Sequence, residues 1–74
     1  MPISLAQQIE EVERELSIRD GVYARRVSSG KMRKSLADYH IERMRAVLQT
    51  LQELEARNAK AAWAKMKRDT DGSD

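Results

Sequence analysis

Apolar residues recur along this chain at steps of three and four, which is the period of an α-helix. A first stripe begins at Leu5 and reaches Val27, and a second begins at Ala37 and reaches Leu54. Gly30 lies between the two stripes. The pattern predicts two amphipathic helices joined by one tight turn. We therefore expect an all-α, antiparallel two-helix hairpin of coiled-coil-like character.

The inner faces of the two helices form the predicted seam. Two helices that share one seam leave much of their surface in water, and a core of this size supplies at most about 3–5 kcal/mol. We therefore expect a partner, most simply a second copy that completes a four-helix bundle. Ile18 and Val22 lie beside the stripe and widen the apolar face. The predicted oligomer seam consists of Leu5, Ile9, Val12, Leu16, Tyr23, Ile41, Met44, Leu48 and Leu51.

Capping residues predict the bounds of the first helix, at about residues 4–29. Ser4 is a suitable N-cap, with Gln7 three residues later to complete a capping box. Gly30 suits the left-handed position just after a helix. Gly21 falls inside the helix, where we expect close approach of another helix or a local bend, with a hinge as the alternative.

The second helix is predicted over about residues 34–67, after a turn at 30–33. Its N-cap is Arg33 or Lys34, with Ser35 as the alternative. Because the second helix is the longer one, residues 59–68 should overhang the start of the first. Residues 1–68 then form one domain, and the acidic residues 69–74 form a disordered tail.

The composition argues against most site chemistry. The chain has no cysteine and one histidine, His40, so neither a disulfide nor a zinc site is expected. No glycine-rich phosphate loop and no cleft of paired carboxylates is visible, so we expect no cofactor, no metal and no enzyme. No signal peptide or membrane span is apparent, which favours the cytoplasm.

The charges are segregated along the chain, although the net charge is only +2. Residues 1–18 carry four glutamates and one arginine, whereas residues 19–45 carry eight basic and three acidic residues. Five cations surround the turn and offer a candidate anion-binding site for nucleic acid or a nucleotide, with a solvated turn as the alternative. They are Arg25, Arg26, Lys31, Arg33 and Lys34.

A second cluster follows Ala59 on the predicted overhang. Trp63 is the only tryptophan of the chain, and this residue type is enriched at protein-binding hot spots. It can instead pack on the first helix of the same chain or of a dimer mate, near Ile3 and Leu5. Base stacking and contact with a membrane surface are further alternatives. The candidate partner-binding residues are Trp63, Lys60, Lys65, Met66, Lys67 and Arg68.

Several segments within residues 5–54 resemble small, mostly uncharacterised proteins encoded by tailed phages and prophages. The similar segments are Ile9-Glu10-Glu11-Val12-Glu13-Arg14-Glu15-Leu16, Val22-Tyr23, Arg26-Val27, Gly30-Lys31-Met32, Ala37-Asp38, Ile41-Glu42-Arg43-Met44-Arg45-Ala46-Val47-Leu48 and Thr50-Leu51. The resemblance implies a phage accessory protein in the host cytoplasm and carries over no catalytic residues.

Taken together, these observations predict a non-catalytic protein that acts by protein–protein interaction. A host protein of defence or transcription is a possible target, and binding of an anion at the basic turn is the alternative function.

Overall fold

The chain folds into a hairpin of two α-helices. The structure, a computed structural model, describes residues 2–71 and the side chains of residues 2–67. Helix α1 spans Leu5–Ser28 and helix α2 spans Lys34–Asp71, and the two pack against each other. The predicted all-α helical hairpin is therefore confirmed. Dimerisation stays a prediction, because the structure contains one chain.

The hairpin is a layer one helix thick. Its principal dimensions are 68 × 26 × 14 Å, and a helix with its side chains is itself about 10–12 Å wide. Only the seam between the helices is thus shielded from water. Ile9 and Ala37, at 8% and 5% exposure, are the two buried residues of the described part of the chain. The other eight residues of the predicted seam are half-buried, so all nine lie between the two helices of one chain.

Both ends of α1 are closed by hydrogen bonds of known types. The predicted capping box is confirmed: Gln7 N donates to Ser4 Oγ at 3.1 Å, and Ser4 N donates to Gln7 Oε1 at 2.9 Å. At the other end, Gly30 N donates to the carbonyl of Val27 and Lys31 N to that of Arg26. Gly30 has φ +75°, as predicted for the residue after the helix.

Helix α2 begins where its first backbone hydrogen bond forms. Ala37 N donates to the carbonyl of Arg33 at 3.0 Å, which makes Arg33 the N-cap. The alternative cap, Ser35, is wrong, because this residue already lies inside the helix.

Helix α2 continues to Asp71, beyond the predicted end at residue 67 and into the predicted tail. The reason is that no helix-breaking residue occurs before Gly72. Residues 72–74 of the predicted tail lie outside the described residues.

Gly21 does not mark a close approach between helices. A Cβ placed on it would have the guanidinium of Arg25 as its nearest neighbour, at 3.6 Å, which is ordinary van der Waals contact. The expected close approach of a second helix is therefore wrong within the hairpin. The stripe of apolar residues faces away from this glycine, which is half-buried beside the Arg25 side chain.

Candidate interaction surfaces

The cationic residues of the turn divide between different sides of the hairpin. Arg25, Arg26 and Lys31 line one open groove of about 540 Å³, together with Val22 and Ser29. None of these three cations forms an ion pair within the described part of the chain. The groove therefore offers three basic side chains and no carboxylate to an anion.

The other two cations of the predicted cluster lie elsewhere. Lys34 Nζ contacts Asp38 Oδ2 at 2.9 Å, on the side of the hairpin where Asp20 and Ala24 also lie. Arg33 lines an adjoining groove with Leu36, and Lys31 lies between the two grooves. The structure thus brings three of the five predicted anion-binding residues together. Helix geometry explains the division, because the first turn of α2 points its side chains in several directions.

The part of α2 beyond the seam is exposed on every side. All residues from 52 to 67 are exposed, and this range includes most of the predicted overhang, which begins at Ala59. Among the described side chains, Leu51 is the last residue of α2 that is half-buried. Leu54, the last member of the predicted stripe, is 41% exposed.

Trp63 does not pack on α1 of its own chain. Its side chain is 64% exposed, and Ile3, one of its predicted neighbours, is 63% exposed. The interpretation that Trp63 packs near Ile3 and Leu5 within one chain is therefore wrong. Leu5 is instead half-buried in the seam.

Lysine side chains flank the apolar surface of the overhang. Steps of three and four residues continue the inner face of α2 from Leu51 through Ala59 and Ala62 to Met66, with Trp63 at its edge. Lys60, Lys65 and Lys67 are exposed around this stripe. The side chain of Arg68, the remaining predicted residue, lies outside the described residues. We call the stripe and its lysines the overhang surface.

A group of aromatic and charged side chains lies across the middle of the hairpin. The His40 ring is 6.1 Å from that of Tyr23 and 5.8 Å from that of Tyr39, and the Arg43 guanidinium lies 5.4 Å from the Tyr39 ring. These contacts link α1 to α2 beside the seam. They account for the half-buried position of His40 by ring packing.

Arg19 and Glu15 form a short ion pair on α1. Arg19 Nε donates to Glu15 Oε1 at 2.8 Å, and this hydrogen bond raises the pKa of the guanidinium above its ordinary value. Both side chains are more than a third exposed, so water screens the pair. Its effect is to hold Arg19 beside His40 and Arg43, with which it lines a groove.

The predicted sites did not include one exposed apolar surface. Leu36 and Val47 are each nearly half exposed on α2, and Ile18 is similarly exposed on α1. The widened stripe at Ile18 and Val22 indicated the α1 part of this surface. The seven-residue spacing of Val47 and Leu54 is the signal that could have indicated the α2 part.

The described residues contain neither a metal-binding cluster nor a membrane-spanning helix. No group of three or more His, Asp or Glu side chains converges as a metal site would require. Neither helix, over its described residues, is both long and apolar enough to cross a membrane.

Comparison with known proteins also returned no match: no family model, no curated protein and no solved structure is significantly similar to the chain. The resemblance to phage-encoded proteins therefore stays a prediction.

Proposed function

We propose that the chain is a non-catalytic interaction module, which self-associates through its hairpin and binds another protein through the overhang surface. The observation that carries this proposal is the exposure of α2 from residue 52 to residue 67, with Trp63 at 64%. A long helix that projects beyond its own hairpin is a ready ligand for a groove on another protein.

The overhang surface defines the chemistry of its partner. The small side chains of Ala59 and Ala62 allow close approach of a partner backbone, and Trp63 supplies a large apolar anchor. Lys60, Lys65 and Lys67 around the stripe favour carboxylates at the rim. The proposed partner is therefore a protein with an apolar groove bordered by acidic side chains.

The resemblance to phage-encoded hairpins adds an expectation about the partner's origin. A phage accessory protein works in the cytoplasm of an infected cell, so the partner is a host protein, such as a component of defence or transcription. This expectation depends on the resemblance alone, whereas the chemistry of the partner depends on the overhang surface.

The test is quantitative capture from a host lysate by the immobilised full chain. The Trp63→Ala/Lys65→Glu double variant should lose the captured protein at least ten-fold, since it removes the anchor and reverses one rim charge. Capture should also weaken as salt is added.

The matched control is Arg57→Glu, which makes the same charge change on the same helix. Arg57 is exposed on the side of α2 away from the stripe, so this variant should retain the partner. Equal capture by the double variant and the wild type would refute the proposed surface. Circular dichroism of both variants checks that helix content is unchanged.

A second candidate function is anion binding at the turn. The observation that favours it is the groove of Arg25, Arg26 and Lys31, which contains no carboxylate. Arg25→Glu/Arg26→Glu should abolish a salt-dependent affinity for short DNA, RNA or a nucleotide. Absence of wild-type binding to all three at low salt would rule this function out.

A further inference from the structure

The two broad sides of the hairpin differ in polarity. On one side, Asp20, Lys34 and Asp38 line the groove between the helices, together with seam residues such as Tyr23 and Ile41. The opposite side contains exposed and half-buried apolar residues of both helices, beside Arg19 and Arg43. We call it the apolar side, and its members are Ile18, Val22, Leu36, Val47 and Leu54.

Helical spacing places these residues together. Leu36, Val47 and Leu54 are separated by eleven and seven residues, which returns each to the same face of α2. Arg19 lines a groove with Val47, so the row of α1 side chains through Arg19 and Val22 lies on the same side of the hairpin. Ile18 is one turn from Val22 at the outer edge of this row.

The accessible surface of the chain is large for its mass. It measures 6319 Å², whereas a compact monomer of 8.5 kDa exposes about 4,650 Å². The excess of about 1,700 Å² is roughly twice the 800 Å² or so that one partner buries in a standard interface. The chain therefore exposes enough surface for interfaces with other molecules.

Acidic residues predominate in the first half of α1, whereas basic residues predominate around the turn. Glu11 and Glu15 lie in the first half of α1, and Arg25, Arg26 and Lys31 lie at the turn. Two copies aligned turn to turn would bring their basic ends together. Two copies aligned in opposite directions would bring each basic end against the acidic half of the other.

We infer that the apolar side binds a second copy of this chain in antiparallel orientation, forming a four-helix bundle whose outer layers are the two polar sides. This inference rests on the self-association in the proposed function and specifies its surface. Leu36 and Leu54 are equally far from residue 45, so a two-fold axis at that level sets Leu36 of one copy against Leu54 of the other. The interface residues are therefore different from the seam residues, which pack within each chain.

The first test measures mass in solution and then perturbs the apolar side. Light scattering after gel filtration should give twice the 8.5 kDa of one chain. Val47→Asp should raise the dimer dissociation constant at least 100-fold, because it buries a charge without a partner. Ala24→Asp places the same carboxylate on the polar side and should leave the dimer intact. A wild-type monomer, or an intact Val47→Asp dimer, would overturn the inference.

The second test determines the relative orientation of the two copies in the dimer. Because the chain has no cysteine, each introduced cysteine is the only one that a cross-linker can modify. A short bismaleimide should link Leu36→Cys to Leu54→Cys in a mixture of the two variants and should link neither variant to itself. In the antiparallel dimer, the two copies of residue 36 are about 27 Å apart along the helix axis. Linkage of Leu36→Cys to itself would contradict this orientation, even if Val47→Asp fails to fold.

The proposed partner binding and the proposed dimer can be refuted independently of each other. Trp63→Ala should lose the partner protein and retain the mass of the dimer, because Trp63 lies on the overhang. Val47→Asp should lose the dimer while the overhang surface stays unchanged. A monomer that still captures its partner through Trp63 would refute the antiparallel dimer and leave partner binding intact.

Discussion

Gly21, inside α1, and Gly30, just after it, should respond with opposite sign to the same substitution. Gly21 is inside the helix, and a Cβ there would make only ordinary contact with Arg25. Gly30 has φ +75°, and no atom lies within 4 Å of the position that its Cβ would occupy. Alanine therefore meets no steric obstacle at either site, and only the backbone conformation distinguishes the two.

The free energies follow from that difference. At Gly21, alanine lowers the entropy of the unfolded chain and improves helix propensity, so the free energy of unfolding should rise by about 0.5–1 kcal/mol. At Gly30, a similar entropic gain is opposed by about 1–2 kcal/mol for a left-handed alanine. The net result is a loss of about 0.5–1 kcal/mol. Asparagine, which tolerates this conformation better, should lose less than alanine.

Thermal and urea unfolding monitored by circular dichroism can resolve both effects. One kcal/mol shifts the melting temperature by about 4–8 °C in a domain of this size. All variants must be compared at one protein concentration, because dimerisation makes the melting temperature depend on it. The double variant should nearly match the wild type, since the two sites are far enough apart to act additively. A stabilising Gly30→Ala would refute the conformational argument, and a destabilising Gly21→Ala would indicate that something packs against this position.

The other predictions concern single contacts of α1. Ser4→Ala should cost about 1 kcal/mol by removing the capping box, and Ser4→Asp should restore most of it. Ile9→Ala should cost at least 2 kcal/mol, because Ile9 is one of two buried residues in the described chain. Arg14→Ala should change stability by less than about 0.5 kcal/mol, since its ion pair with Glu11 is mostly exposed. Urea unfolding at one protein concentration measures all three, and a loss at Arg14 equal to that at Ile9 would contradict this ranking.

Local sequence signals predicted the hairpin well because they act over a few residues. The serine cap and Gly30 each depend on atoms within one turn of chain, and both behave as expected. The end of α2 was less predictable, because the acidic residues after Arg68 are weak helix breakers and only Gly72 interrupts the helix pattern.

The surfaces were harder to predict, because they depend on how two helices face each other. An apolar stripe shows which residues share a face, but it does not say how deeply each is buried, so the 41% exposure of Leu54 was not foreseen. Likewise, five cations close together in sequence suggested one cluster. Lys34 turns instead toward Asp38, because a helix directs successive side chains about 100° apart.

The exposed end of α2 has a consequence for the thermodynamics of any protein that binds it. Residues 52–67 are all exposed, and a helical segment of this length is marginally stable by local propensity alone. Binding and helix formation are then linked equilibria, and part of the binding free energy is spent on ordering the segment. Residues that never touch the partner, such as Asn58, can therefore set the affinity through their helix propensity.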